Sequence, residues 1–330
     1  MRGSKFALEL EGTMPELPEV EFTARQLRTS IVGATINKAL VFWERTIGYP
    51  DLDTFLLEVS ERRIEAVRRR GKYLVVDLEG DLFLSIHRRM TGNLLLLPSG
   101  WEVDTSLRER DPVGWSTRGP SFFAASPSTP MSPISPASST DLGKNWYCRV
   151  CFDLTDGRRL LYTDPRKFGR IELWARDCEA VAFKGLGPEP LSTAFRAEHL
   201  AQALAGRKSS IKQVLLAQEV VAGIGNIYAD EALYYASIHP LRRADSLSLA
   251  EIELLHEGIV SVLSRAIEHG GTTFSGYRDL WGEAGDNYNH VRVYQQDGKP
   301  CLRCGTLVER IVIGQRSAHF CPGCQKLTVE

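Results

Sequence analysis

The sequence predicts an α+β protein: sheet in its first half, helix in its second, and a small metal-held ribbon at the end. Three observations carry this. Short apolar runs alternate with turn signals between Thr35 and Trp174. Beyond Lys184-Gly185-Leu186-Gly187-Pro188-Glu189-Pro190 the apolar spacing becomes helical. Two Cys-x2-Cys pairs then stand near the end. With 330 residues, net charge −1, 43% hydrophobic and 25% charged residues, the chain has room for about two domains with substantial cores. No apolar run approaches the ~20 residues of a membrane span. Residues 1–13 lack the apolar region and cleavage site of a signal peptide. A near-neutral charge does not announce a nucleic-acid binder, so that function has to rest on local basic patches.

The elements follow in order. From Glu19 to Ser30, Val20, Ala24 and Leu27 recur at helical spacing, with Ile31 next and a stop at Gly33. Pro18 suits the first turn, and Glu19 and Glu21 suit its positive end. Strands are expected over Thr35–Trp43, Arg62–Val67, Tyr73–Leu78, Leu82–His87 and Asn93–Leu97. Turns such as Glu79-Gly80-Asp81 between them argue for a mainly antiparallel sandwich. Trp101 to Asn145 breaks the pattern; its Ser-, Pro- and Ala-rich centre, Ser121 to Thr140, is expected to be a disordered surface insertion. Strands resume over Trp146–Leu154, Arg159–Tyr162 and Arg170–Trp174. Lys184 to Pro190 looks like a hinge. Helices are then expected over Phe195–Leu204, Ser209–Ala217, Ile227–Ala236 and Ser248–His269, the last opened by a capping box of Ser248 and Glu251. Short strands around cysteines occupy His290 to Gln325.

Several stretches carry chemistry. Met14-Pro15-Glu16-Leu17-Pro18-Glu19-Val20-Glu21 looks like a true start lying inside the printed sequence. Were Met14 removed, Pro15 would present a free secondary amine able to attack an electrophilic sugar carbon. With a reference pKa of roughly 7.7–8.0, that amine is partly unprotonated near neutrality. Glu16 beside it is a candidate acid or base. Cys301-x2-Cys304 and Cys321-x2-Cys324 can present four thiolates to one structural zinc. Between Lys299 and Lys326 five Lys or Arg face one acid, as suits a nucleic-acid contact. Cys148-x2-Cys151 is read as packing, because residues three apart in a strand point to opposite faces. Val220-Val221-Ala222-Gly223-Ile224-Gly225-Asn226 opens a helix, and glycines there let backbone N–H groups approach an anion such as a phosphate. Read alone, it is more simply a helix–helix turn. Arg68-Arg69-Arg70-Gly71-Lys72 reads by default as a solvated basic turn. Asp164-Pro165-Arg166-Lys167-Phe168-Gly169 and the turn around Met90 could push side chains into a base stack, although Met90 and Phe168 taken singly read as core.

Assembled in order, these pieces resemble one family. The Pro-Glu-Leu-Pro-Glu-Val-Glu start, Arg-x-Gly-Lys-Tyr, Thr-Asp-Pro-Arg-Lys-Phe-Gly, Gly-Pro-Glu-Pro-Leu, Gly-Ile-Gly-Asn-Ile-Tyr-Ala and the four-cysteine ribbon are similar to those of bacterial formamidopyrimidine-DNA glycosylases, the 8-oxoguanine repair enzymes. The resemblance implies a leader over 1–13 absent from the mature protein, a catalytic β-sandwich over 14–182 and a hinge over 183–194. It further implies a helix–two-turn–helix lobe over 195–289, a zinc ribbon over 290–330, and duplex DNA with oxidised bases or abasic sites in the cleft. Pro15 would be the nucleophile, Glu16 the acid/base and Glu19 a supporting carboxylate. Lys72, Asn226, Arg316 and, less directly, Lys208 would hold phosphates. Met90, Arg166 and Phe168 would fill the gap left by the everted base, and Gly271 to Tyr294 would close over it. The cysteine usage suits a reducing, cytoplasmic compartment with one structural Zn2+, and a monomer suits DNA scanning.

Three features depart from the pattern. With residues 1–13 attached, the Pro15 nitrogen is an amide and cannot attack; Glu11-Gly12 is compatible with a ribosome-binding sequence just ahead of the Met14 codon. The insertion is the second. The third is His87-Arg88-Arg89-Met90, where the family more often has Leu-Gly in place of the two arginines. Two rivals stand beside the main reading: a sister glycosylase for oxidised pyrimidines, and a non-catalytic reader of damaged DNA if the leader is retained.

Overall fold

The computed structural model describes residues 14–100, 147–274 and 276–327. The leader over 1–13 and the insertion expected over 101–145 lie outside the described residues. Helix α1 (Leu17–Ser30) starts with a proline in its first turn and buries Leu17, Val20, Ala24 and Leu27 along one stripe. Nine strands follow: β1 (Thr35–Val41), β2 (Ile47–Tyr49), β3 (Arg62–Arg70), β4 (Tyr73–Leu78), β5 (Leu82–His87), β6 (Asn93–Leu97), β7 (Cys148–Leu154), β8 (Arg159–Thr163) and β9 (Arg170–Ala175). Their order is β2-β9-β5-β4-β3-β1-β7-β8-β6. All pairings are antiparallel except β2 with β9. β1 and β3 meet only at Thr35–Arg63 and Ile36–Arg62, so the sheet turns a corner there and its halves close on each other. Ile64, Val76 and Leu84 of one half share a core with Phe152, Leu154 and Leu160 of the other, and α1 packs against it.

Three short elements, at Leu52–Val59, Ile47–Tyr49 and Glu179–Ala182, were not expected. α2 (Leu52–Val59) is a two-turn helix capped by the Asp51 side chain, which accepts from Thr54 N at 3.0 Å. It buries only Phe55 and Val59, too few repeats for a period to show. β2 is three residues long, for the same reason invisible. β4 is buried on both faces, because Phe183, just past the short α3 (Glu179–Ala182), covers Val75 and Phe83. Cys148 and Cys151 are indeed packing residues, but the argument about faces needs correction. A register shift between Cys148 and Val150 turns both sulfurs to one side, where they pack with Leu161.

The second lobe is built from α4 (Ala197–Leu204), α5 (Ile211–Leu216), α6 (Asn226–Tyr235) and α7 (Leu249–Glu268). Ser248 and Glu251 do form the capping box: Glu251 N donates to Ser248 Oγ at 3.3 Å, and Ser248 N to Glu251 Oε2 at 2.8 Å. Leu17 of α1 belongs to this lobe's core, so the tip of the first helix bridges both lobes. The hairpin β10 (Glu309–Ile313) and β11 (Arg316–Phe320) completes the ribbon.

The arginines before Lys72 are not a solvated run. Glu189, in the segment expected to be a hinge, accepts from Arg69 Nη1 at 2.6 Å, Arg70 Nη1 at 2.8 Å and Gly71 N at 2.6 Å. Arg69 also reaches Glu21 of α1 at 3.1 Å. The turn carrying Lys72 is thereby bolted to the inter-lobe segment.

Candidate active site

The site forms where α1 begins against the start of α6. Glu16 is 3% exposed and its carboxylate accepts from Gly225 N at 2.7 Å, Ile227 N at 3.0 Å and Tyr228 N at 3.4 Å. These are the free N–H groups of a helix start, aligned with its positive end. The glycine turn thus does bind an anion, but the anion is the protein's own carboxylate rather than a phosphate. Gly225 must be glycine: a Cβ there would lie 2.3 Å from Glu16 Cδ. Gly223, with φ +89°, turns the chain so that its carbonyl accepts from Leu17 N at 3.1 Å. Burial pushes the Glu16 carboxyl up to about 7, against the pull of Lys72.

Pro15 is buried immediately before Glu16. Glu19 accepts from Glu16 N at 2.8 Å, Thr272 N at 2.7 Å and the Tyr228 hydroxyl at 2.6 Å. It therefore supports both the Pro15–Glu16 stretch and the root of the segment after Gly271, and burial raises its pKa as well. Tyr228 stands in the Gly-Ile-Gly-Asn-Ile-Tyr-Ala motif and Thr272 directly after Gly271, but their contact with Glu19 becomes visible only when three distant segments meet.

Lys72 is buried, and desolvation holds its ammonium below the usual lysine range; Glu16 opposes that effect and Arg316 adds to it. Lys72, Arg316 and Glu16 thus share one electrostatic neighbourhood. Asn226 lies at its edge, donating to Ser317 Oγ at 3.4 Å, while its buried Oδ1 has no partner among the described residues. Lys208 is not brought to this place: it is exposed, and the charge it acts on is Asp245. Lys212, which sequence reasoning passed over, is fully buried there, donating to Asp230 at 2.6 Å and to Ser317 O at 2.5 Å. Its signal was a lysine set among Ile211, Val214 and Leu215, the buried face of α5.

Met90, Arg166 and Phe168 come together at the protein surface. Arg166 Nη1 lies 3.3 Å from Met90 Sδ, and its guanidinium stands 4.9 Å from the centre of the Phe168 ring. Phe168 is 50% exposed, so it is not a core residue. The buried Asp164 shapes this turn by accepting from Arg166 N at 3.2 Å and Gly169 N at 2.8 Å. Lys167 takes φ +60° between the two presented side chains.

Cys301, Cys304, Cys321 and Cys324 place their sulfurs within 4.8 Å of one another. The separations of 3.9 Å for Cys301–Cys324 and 3.4 Å for Cys304–Cys321 bracket the edge of about 3.8 Å that a tetrahedron with Zn–S near ~2.3 Å requires. The four thiolates fit one zinc and leave no open coordination position, which makes it structural.

The models of three families match this chain: the formamidopyrimidine-DNA glycosylase N-terminal domain over residues 14–171, the formamidopyrimidine-DNA glycosylase H2TH domain over 186–277, and the zinc finger found in FPG and IleRS over 298–327. Sheet lobe, helical lobe and zinc ribbon in this order define a DNA-repair glycosylase that also cleaves abasic sites. The chain belongs to the formamidopyrimidine-DNA glycosylase family. Among its relatives, the formamidopyrimidine-DNA glycosylase of Roseiflexus sp. is 38% identical over 95% of this chain and 100% of its own length. That of Symbiobacterium thermophilum is 40% identical over 94% and 89%. Two Lactococcus lactis FPG structures superpose with TM-score 0.76. One, a variant in complex with Fapy-dG-containing DNA, is 31% identical over 95% of this chain and 100% of its own. The other, bound to DNA with an abasic site, is 30% identical over 94% and 100%.

Proposed function

We propose that the enzyme excises oxidised purines, 8-oxoguanine and formamidopyrimidines, from duplex DNA through a Schiff base on Pro15. The nucleotide is first turned out of the helix, because its glycosidic bond is inaccessible in the stack. The Pro15 nitrogen attacks C1′, and the base leaves with the electron pair of the glycosidic bond and gains a proton. Glu16 protonates the ring oxygen as the sugar opens, which leaves an iminium on Pro15. The iminium acidifies the neighbouring C–H bonds; their protons leave in turn as the 3′ and then the 5′ phosphate is expelled. Water finally releases the sugar fragment. Lys72, Arg316 and Asn226 hold the phosphates around the lesion. Met90, Arg166 and Phe168 fill the vacated space, with Arg166 toward the orphaned base.

The observation that carries this reading is Glu16, fixed beside Pro15 with a carboxyl near pKa 7. Such a group can donate and recover a proton at neutral pH. The mechanism requires Pro15 to be the first residue, as follows if synthesis starts at Met14 and that methionine is removed. The family match opening at residue 14 supports such a start. Mass spectrometry of native protein checks it, and a mature chain beginning at Met1 would sink the mechanism. The enzyme then works as a monomer at the nucleoid, in the reducing cytoplasm.

The test is borohydride trapping on duplexes carrying an abasic site or 8-oxoguanine opposite cytosine. A covalent adduct mapped to Pro15 is expected; verified Pro15-terminal protein that forms none refutes the Schiff base. A preference for oxidised pyrimidines is the second reading, motivated by a Lactococcus lactis FPG structure holding oxidised-pyrimidine DNA. Excision of 8-oxoguanine measured against thymine glycol decides between them. If the leader is retained, tight binding without trapping is expected.

A further inference from the structure

Arg88 is the first of the two arginines that precede Met90. It is 1% exposed, among the largest side chains buried in the protein. A guanidinium in that setting is costly unless its donors are all used. Nε donates to Gly92 O at 2.8 Å, Nη1 to Thr23 Oγ1 at 3.0 Å, and Nη2 to Asn93 Oδ1 and, at 3.2 Å, to Arg278 O. The guanidinium also stands 5.1 Å from the centre of the Tyr277 ring.

These partners belong to three separate parts of the site. Gly92 closes the turn that presents Met90, and its N–H returns to Arg88 O at 3.0 Å. Thr23 lies on α1 one turn after Glu19, whose carbonyl it engages at 2.9 Å. Tyr277 and Arg278 belong to the segment after Gly271. Asn93 reinforces the same join: its Nδ2 donates to Gly276 O at 2.8 Å and its Oδ1 accepts from Arg278 N at 3.1 Å. The segment's root is tied independently, through Thr272 to Glu19.

We propose that Arg88 is a positioning residue that locks residues 276–278 onto the Met90 turn and α1, so that the cover over the everted base is formed before DNA arrives. A leucine at this position could fill the volume but could make none of the bonds to the segment. The lock lowers the ordering cost that a mobile cover would meet on closing. It acts on base excision, because only that step needs an everted base enclosed. Cleavage of a ready-made abasic site has no base to cover and is indifferent to it. This assignment rests on the proposed function and on the covering role that the family resemblance implies for Gly271 to Tyr294, whereas the lock itself does not.

The experiment uses zinc-loaded, Pro15-terminal protein and the variants Arg88→Leu and Asn93→Ser. Hydrogen–deuterium exchange without DNA is expected to rise by about tenfold or more over residues 273–284 in each variant, with α7 and the ribbon unchanged. Single-turnover excision of 8-oxoguanine is expected to fall by about tenfold or more, while abasic-site cleavage stays within about twofold. Equal losses in both reactions would reveal a general structural role and overturn the proposal, as would unchanged exchange in the segment. Should Arg88→Leu fail to fold, Asn93→Ser decides alone, since it removes the join without emptying the core. If wild-type protein neither excises nor traps, the functional reading fails, and the exchange measurement still judges the lock.

Discussion

Replacing Gly225 by alanine puts a methyl group into the space that the Glu16 carboxylate occupies. The new Cβ would lie 2.3 Å from Cδ and 2.4 Å from Oε1. The Glu16 side chain has to shift to admit the methyl group, so the carboxylate leaves the start of α6 and gives up its bonds to Gly225, Ile227 and Tyr228 N–H. Two consequences are measurable. Excision loses its acid and falls by roughly 10²–10⁴-fold, the range that general acid–base groups supply. The pH dependence of stability changes as well. In the wild type the Glu16 pKa stands at about 7 against an ordinary 4.5, a difference worth roughly 3 kcal/mol. Because the folded state holds this proton more tightly, the contribution is complete below pH 4.5 and is lost as pH rises through about 7. In Gly225→Ala the expelled carboxyl titrates like the unfolded one and loses nothing. The stability gap between wild type and variant therefore narrows by about 3 kcal/mol between pH 4 and pH 8. Urea denaturation across that window reads the gap, and Glu16→Gln should abolish the same pH term. A gap that stays constant, or a variant that excises at the wild-type rate, would show that the carboxylate does not sit where these contacts place it.

Other expectations follow from neighbouring features. Lys212→Met removes the ammonium from the fully buried Asp230 carboxylate, leaving its contacts with His319, and should cost about 3–5 kcal/mol by denaturation; a loss below about 1 kcal/mol would mean the pair is solvated. A strong chelator should expose the four zinc thiols to a thiol reagent and lower the melting temperature. Cys148 and Cys151, both buried, should react only on unfolding, and early reaction would contradict the strand packing. Phe168→Ala removes a half-exposed ring, so stability should change by less than about 1 kcal/mol while excision opposite cytosine falls; equal, large losses of both would return Phe168 to the core.

Local patterns made much of this architecture readable. Alternation located the strands from β3 to β9, and Ser248 with Glu251 located the start of α7, because these signals lie within a few residues of one another. α2 and β2 escaped because two turns and three residues show no period. The zinc site was legible from spacing alone, since each thiolate pair is local and the requirement for four is chemical. The acid's environment was not. Glu16 meets Gly225 across 209 positions, and nothing in either stretch names the other. The glycines announced a helix start ready for an anion without saying which one. Lys208 enters only through the family resemblance, whereas Lys212 stands among aliphatics and its buried partner Asp230 lies 18 positions away. The arginines at 68–70 looked solvated for the same reason: Glu189, the acceptor of Arg69 and Arg70, lies about 120 positions away, and Arg68 is taken up by Asp77 and by the distant Glu179.

Glu16 belongs to the first helix yet is held by the sixth, and Glu189 fastens the connecting segment back onto the strand turn beside Lys72. The two halves of the molecule are consequently clamped together at the candidate site. A jaw-like motion wide enough to swallow a duplex would have to tear the Glu16 carboxylate from its seat. The cradle therefore keeps a fixed aperture, and it falls to the nucleic acid to bend. Helices that kink cheaply at a damaged step would be admitted more readily than stiff, intact ones, so mechanical compliance of the substrate becomes a first filter ahead of any reading of the base.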